Sequence, residues 1–106
     1  MNIAELKEIL KKSGLPVAYR QFRKEDNVTL PFITYVREDD EITFADDKVY
    51  KKVHNCSVHL CTAYKDMALE NIIEQLFDDN EIIYEAEEIY IESEKMYEVV
   101  YDIQIL

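Results

Sequence analysis

The sequence predicts an α+β fold: a mostly antiparallel sheet of about five strands with two helices on one face, in the order α-β-β-β-α-β-β. Three observations carry this. Apolar residues recur at helical spacing in two stretches, Ile3/Leu6/Ile9/Leu10 and Leu69/Ile72/Ile73/Leu76/Phe77. The last third of the chain alternates at period two instead: two apolar runs, residues 82–92 and 95–106, flank the polar turn Glu92-Ser93-Glu94-Lys95. In the second run Tyr97, Val99, Tyr101, Ile103 and Ile105 fall on one face, and the alternation continues to the last residue. Links between consecutive strands are short, which favours antiparallel pairing.

Taken in order, the first helix ends where Lys11 and Lys12 suit its C-terminus, Gly14 supplies a left-handed cap and Pro16 prevents continuation. Gly14 is the single glycine of the chain. A short strand follows over residues 17–22, then a basic, polar loop over 23–29. Pro31 opens a strand over 32–37 that is rich in aromatic and β-branched residues. Residues 38–47, EDDEITFADD, read as an acidic loop with Ile42 and Phe44 in its middle. A long strand over 48–62 changes apolar phase, with Val49 and Val53 odd but Cys56, Val58 and Leu60 even. A bulge between Val53 and Cys56 reconciles the two. Asp66 is suited to cap the second helix and Asn80 to end it.

A chain of 106 residues is expected to form one domain, residues 1–106, without linker or internal repeat. At this size it buries roughly 65% of its unfolded surface. No apolar run reaches the roughly 18 residues of a membrane span. The opening MNIAELKEILKK carries acids and lacks a small-residue cleavage site, so it does not read as a signal peptide and synthesis in the cytoplasm is expected. The formal charge is −11, from 23 acids against 12 bases. That opposes a broad electrostatic grip on nucleic acid or on an anionic membrane surface. It suits a solvated acidic surface, a basic partner, or a surface that repels DNA. Cys56 and Cys61, if in one strand, lie about 16 Å apart, beyond the roughly 7 Å that a disulfide tolerates, and read as reduced thiols.

Sequence motifs of catalysis are few. His54-x-Cys56 and His59-x-Cys61 supply zinc-ligand types, but the offset of five residues puts the pairs on opposite faces of a regular strand. The acidic loop holds Asp39, Asp40, Glu41, Asp46 and Asp47, ligand types for a divalent cation, without the spacing or turn glycine of an EF-hand. There is no phosphate-cradling glycine loop, nucleophile elbow or activated-cysteine signature, and nothing singles out a carboxylate pair. The expectation is a protein that is not an enzyme and carries no cofactor or metal. Arg20, Arg23 and Lys24 form a small basic cluster suited to an acidic neighbour or to solvent. Tyrosine is enriched at interfaces because it joins an apolar body to a wet tip. Among the eight tyrosines, Tyr90, Tyr97 and Tyr101 on the last two strands are therefore candidate interface positions.

LPVAYRQFRK, PFITYVRED, FADDKVYKKVHNCSVHL and EIIYEAEEIYIESEKMYEVVYDIQI resemble, in this order from Leu15 onward, the small tail-completion or tail-to-head joining proteins of long-tailed phages and prophages of Gram-positive bacteria. The most distinctive parts are F-x-A-D-x-K-V-Y, Phe44 to Tyr50, and I-E-S-E-K-M-Y, Ile91 to Tyr97. The order of elements is also similar to that of the lambda-type tail terminator, a likeness of fold. The chain departs from the glycine-bearing loops of the family in having no glycine after Gly14.

The resemblance implies a virion structural protein with no catalytic or cofactor residues. It would be assembled in the host cytoplasm and placed at the head-proximal end of the tail. Its partners would be further copies of itself in a ring, commonly of about six subunits, the major tail tube protein, and the head completion or connector protein. DNA would pass through the lumen without specific binding, and no membrane would be involved. The acidic loop, Glu38, Asp39, Asp40, Glu41, Ile42, Phe44, Asp46 and Asp47, is expected to line the lumen or meet a neighbouring ring, with Ile42 and Phe44 as apolar anchors. Six copies at −11 each would carry −66 formal charges, so closure needs apolar and strand-edge contacts to offset repulsion. The competing expectation is a small acidic phage-encoded inhibitor that mimics DNA and acts on a host enzyme.

Overall fold

The computed structural model describes every residue except Asp46, Asp47 and Leu106, and for residues 41–45 and 48–52 it describes the backbone. The chain runs α1 (Ile3–Lys11), β1 (Val17–Tyr19), a 3-10 turn (Lys24–Asp26), β2 (Phe32–Ala45), β3 (Lys48–Thr62), α2 (Met67–Asp79), β4 (Ile83–Ile91) and β5 (Met96–Ile105). The five strands form one sheet in the order β1-β2-β3-β5-β4. β1 runs parallel to β2 and every other neighbouring pair is antiparallel. This is the α+β order that the periodicities predict.

Both helices begin on side-chain caps. Asn2 Oδ1 accepts from the Glu5 backbone N–H at 2.9 Å, and Asp66 Oδ1 accepts from Leu69 N–H at 3.1 Å. Gly14 adopts φ +83°, the left-handed conformation that turns the chain out of α1, and the Gly14 N–H returns to the Lys11 carbonyl. The helices cover one face of the sheet. Leu6, Ile9 and Leu10 of α1 and Ile73 and Phe77 of α2 meet Ile33, Tyr35, Cys56, Val58, Leu60, Val99, Tyr101, Ile103 and Ile105 in one continuous core.

Among the described residues Tyr101 is the largest fully buried side chain, held between α2 and β4. Its ring packs edge-on against Phe77 and Tyr84, with centroids 5.4 and 5.7 Å away. Its hydroxyl donates to Glu74 Oε2 at 3.0 Å, and the Tyr84 hydroxyl donates to the other oxygen of Glu74 at 3.2 Å. One carboxylate of α2 thus satisfies two phenols of the sheet. Burial first, then the hydrogen bond to Glu74, push the Tyr101 phenol well above its ordinary range.

Three sequence expectations change. β1 stops at Tyr19 because Arg20 takes a positive φ of 67° and Gln21 N–H folds back onto the Tyr19 carbonyl. Residues 38–45 are strand, not loop: β2 continues to Ala45, and its backbone groups pair with β3. Composition marks acids as poor strand formers, but pairing against a long β-rich partner overrides that weak preference. The bulge expected on β3 lies on β2 instead. Arg37 pairs with Cys56 and Asp40 with His54, so the extra residue falls between Arg37 and Asp40, while β3 stays in continuous register with β5 from His54 to Thr62. A second shift places an extra β3 residue between Val49 and Lys51.

Beyond His54, no pairing of β3 with β5 occurs among the described residues, and residues 40–45 of β2 pair with β3 alone. The β2–β3 hairpin therefore leaves the body of the sheet as a two-stranded arm. At 3.3 Å per residue, the six β3 residues from 48 to 53 extend it by about 20 Å. The molecule measures 51 × 28 × 25 Å accordingly.

Candidate functional site

At the root of the arm, the extra residue of β2 brings Arg37 and Asp40 onto the helix-covered side with His54. Asp40 accepts from Arg37 Nη2 at 2.7 Å and faces His54 Nδ1 at 2.8 Å. These hydrogen bonds, His54 foremost and then Arg37, hold the Asp40 carboxyl down at about 2, against an ordinary 3.8. A depressed folded value means that the unfolded chain binds the proton more readily. The contact therefore stabilises the fold above about pH 4 and is lost as pH falls from there towards 2. Urea midpoints should fall over this interval in the wild type, with a shallower slope in Asp40→Asn. Equal slopes would show that the cluster does not hold the arm.

The face of the sheet away from the helices carries two cavities. One, of about 400 Å³, is lined by the carboxylates Glu38, Glu85 and Asp102 with Asn55 and Gln104. Ser57, buried between β2 and β5, places its hydroxyl 3.0 Å from Glu38 Oε1 and 3.3 Å from Asp102 Oδ1. A hydroxyl has one hydrogen, so it serves one carboxylate at a time. No Lys or Arg among the described residues lines this cavity.

The other cavity, of about 680 Å³, lies where the connection over residues 20–31 folds across the open face near the start of β2. Arg20, Arg23 and Lys24 stand on its rim, while Phe22, Phe32 and Met96 contribute its apolar surface. Phe22 and Phe32 pack edge-on at 5.2 Å, anchoring the connection to the sheet. On the floor, His59 Nδ1 contacts the Glu98 carboxylate across β3 and β5. Arg23 also lies 3.9 Å from Glu25 and 3.8 Å from Asp26, but its side chain remains 77% exposed.

The sequence-predicted residues divide. Glu38, Asp39, Asp40, Glu41, Ile42 and Phe44 belong to the arm and its root, whereas Asp46 and Asp47 lie outside the described residues. Tyr90 and Tyr97 pack at 4.9 Å with their rings tilted by 60° on the end of the sheet, and Tyr90 is 51% exposed. Tyr101 is a correction: fully enclosed by Phe77, Tyr84 and Glu74, it has no surface to offer a neighbour. The His54/Cys56 and His59/Cys61 pairs do occupy opposite faces. Cys56 joins the core beneath the helices and Cys61 lines the larger cavity. Among the described residues no three His, Cys, Asp or Glu side chains converge on a common point. Both thiols are free and buried, and burial pushes them up, the reverse of nucleophile activation.

No protein-family model matches the chain, and neither does any curated protein. No helix among the described residues is long and apolar enough to cross a membrane.

The basic cluster at Arg20, Arg23 and Lys24 is visible in the sequence, but the cavity behind it is not. Phe32, His59, Met96 and Glu98 come from three strands, and only the pairing register brings them together. The paired phenylalanines flanking the connection are the one local hint that it folds onto the sheet.

Proposed function

We propose that this chain is a phage virion structural protein. It closes into a ring, caps the tail tube at its head-proximal end and joins it to the head connector, with DNA passing through the lumen. The observation that carries this reading is the unlikeness of the two open sheet edges. β4 is nine residues long and exposes Ile83, Ile89 and Tyr90 among Glu85, Glu87 and Glu88. β1, at the other edge, is three residues long and leads into Arg20, Arg23 and Lys24. Flanks of opposite character on one chain favour head-to-tail contact between copies. Such contacts form a ring when the rotation closes.

Charge supports the same role. A passage for DNA works best if it does not bind the duplex, and the net −11 repels phosphate over about 8 Å at physiological ionic strength. The likeness of residues 44–50 and 91–97 to tail-completion proteins adds the location. The test is to mix the purified chain with tail tubes and examine them by electron microscopy. One capped end per tube is expected. Uncapped tubes, or virions lacking the chain that still join heads to tails and infect, would overturn the proposal.

The second reading, an acidic inhibitor that mimics DNA, draws on the cavity of Glu38, Glu85 and Asp102, which no Lys or Arg among the described residues offsets. It requires a chain that works without assembling. Displacement of DNA from a nuclease by the free protein would favour it over the ring.

A further inference from the structure

We infer that the cavity under residues 20–31 receives the β2–β3 arm of a neighbouring copy. This rests on the ring reading above and specifies its contact. The arm and the cavity sit at opposite ends of the same strand: Phe32 lines the cavity and Ala45 is the last described residue of β2 in the arm. Thirteen steps of strand separate them by about 43 Å, so a chain cannot fill its own cavity with its own arm. The contact joins one end of a copy to the other end of the next. Repeated from copy to copy in one direction, such a contact builds a ring when the rotation closes.

The two surfaces match in chemistry. Residues 38–52 hold six carboxylates against three lysines, and set Ile42 and Phe44 among them. The cavity presents Arg20, Arg23 and Lys24 over an apolar surface of Phe22, Phe32 and Met96, with Glu98 the one lining carboxylate among the described residues, in contact with His59. An acidic strand pair bearing apolar side chains is the partner that such a rim and floor select. The two unlike edges set the head-to-tail direction, but strand pairing between them covers only three residues of β1 against nine of β4, so the arm supplies the longer contact. Among the described residues the body of the sheet also gives the arm no third strand, which leaves its length open to a neighbour.

The test uses the full-length chain in three forms: wild type, a cavity reversal (R20E/R23E/K24E), and that reversal combined with an arm reversal (E41K/D46K/D47K). Self-association is read by sedimentation equilibrium, end-capping of tubes by electron microscopy, and folding by circular dichroism melts. With exposed charge pairs at stake, the cavity reversal should weaken association on the order of tenfold, and the combined variant should return to within about threefold of wild type. A merely unfolded variant would not be rescued by a second reversal elsewhere. If wild type associates and caps tubes but the cavity reversal leaves this unchanged, the arm contact is wrong and the ring stands. The same holds if the arm reversal fails to restore a folded cavity variant. If wild type neither associates nor caps tubes, the ring and the contact fall together.

Discussion

Tyr101→Ala is expected to lower the unfolding free energy by about 3–5 kcal/mol, the range for deleting a buried aromatic ring. Against a total of about 5–15 kcal/mol for a domain, this removes roughly a fifth of the stability or more. The loss has two parts that a second variant separates. Tyr101→Phe keeps the ring contacts with Phe77 and Tyr84 and removes only the hydroxyl that donates to Glu74. It should cost about 1 kcal/mol, because Glu74 keeps the Tyr84 hydroxyl as a partner. Urea titration of the three proteins measures both steps. Near-wild-type stability of the alanine variant would mean that Tyr101 is not the keystone of the α2–sheet contact.

In thiol labelling, the native chain should react with an aromatic disulfide only as fast as it opens, and both cysteines should react at once in denaturant. Cys61 is 4% exposed, and burial pushes its thiol up to about 12 from an ordinary 9.0. At a fixed pH below 9 the reactive thiolate is then far scarcer than in an open chain, before access is counted. Because the folded value lies above the unfolded one, the neutral thiol's contribution is complete below about pH 9 and is lost as pH rises towards 12. Cys56 is 1% exposed and follows the same direction. Native-state labelling at the rate of a free thiol would overturn the burial of either residue.

The helices and the last two strands were legible because each obeys one period throughout. Leu69, Ile73, Leu76 and Phe77 can share a stripe only on a helix, and Val99, Tyr101 and Ile103 a face only on a strand. The β3 half of the arm was legible as part of the strand expected over 48–62, but the β2 half was not, because a hairpin that leaves its sheet has no single buried face to impose alternation. Its strand state comes from pairing between residues 40–45 and 48–54, a property of neither segment alone. Tyr101 and Tyr97 illustrate the limit on sites. They share a phase along β5, yet α2 and β4 enclose the first while the second packs at a tilt against exposed Tyr90. Period reveals which face a residue is on, not how far along that face the covering helix reaches.

The nine-residue outer border of β4 has a consequence for the chain before it meets any partner. A long row of unsatisfied amides flanked by isoleucines is a template for runaway stacking into fibrils. Glu85, Glu87 and Glu88 interrupt that row, and Lys65, which joins Glu70 at the start of α2 to Glu88 at 2.6 Å, fastens it to the body of the fold. Like charges on two such borders oppose their pairing with each other. The acids thus act as a guard against edge-to-edge aggregation.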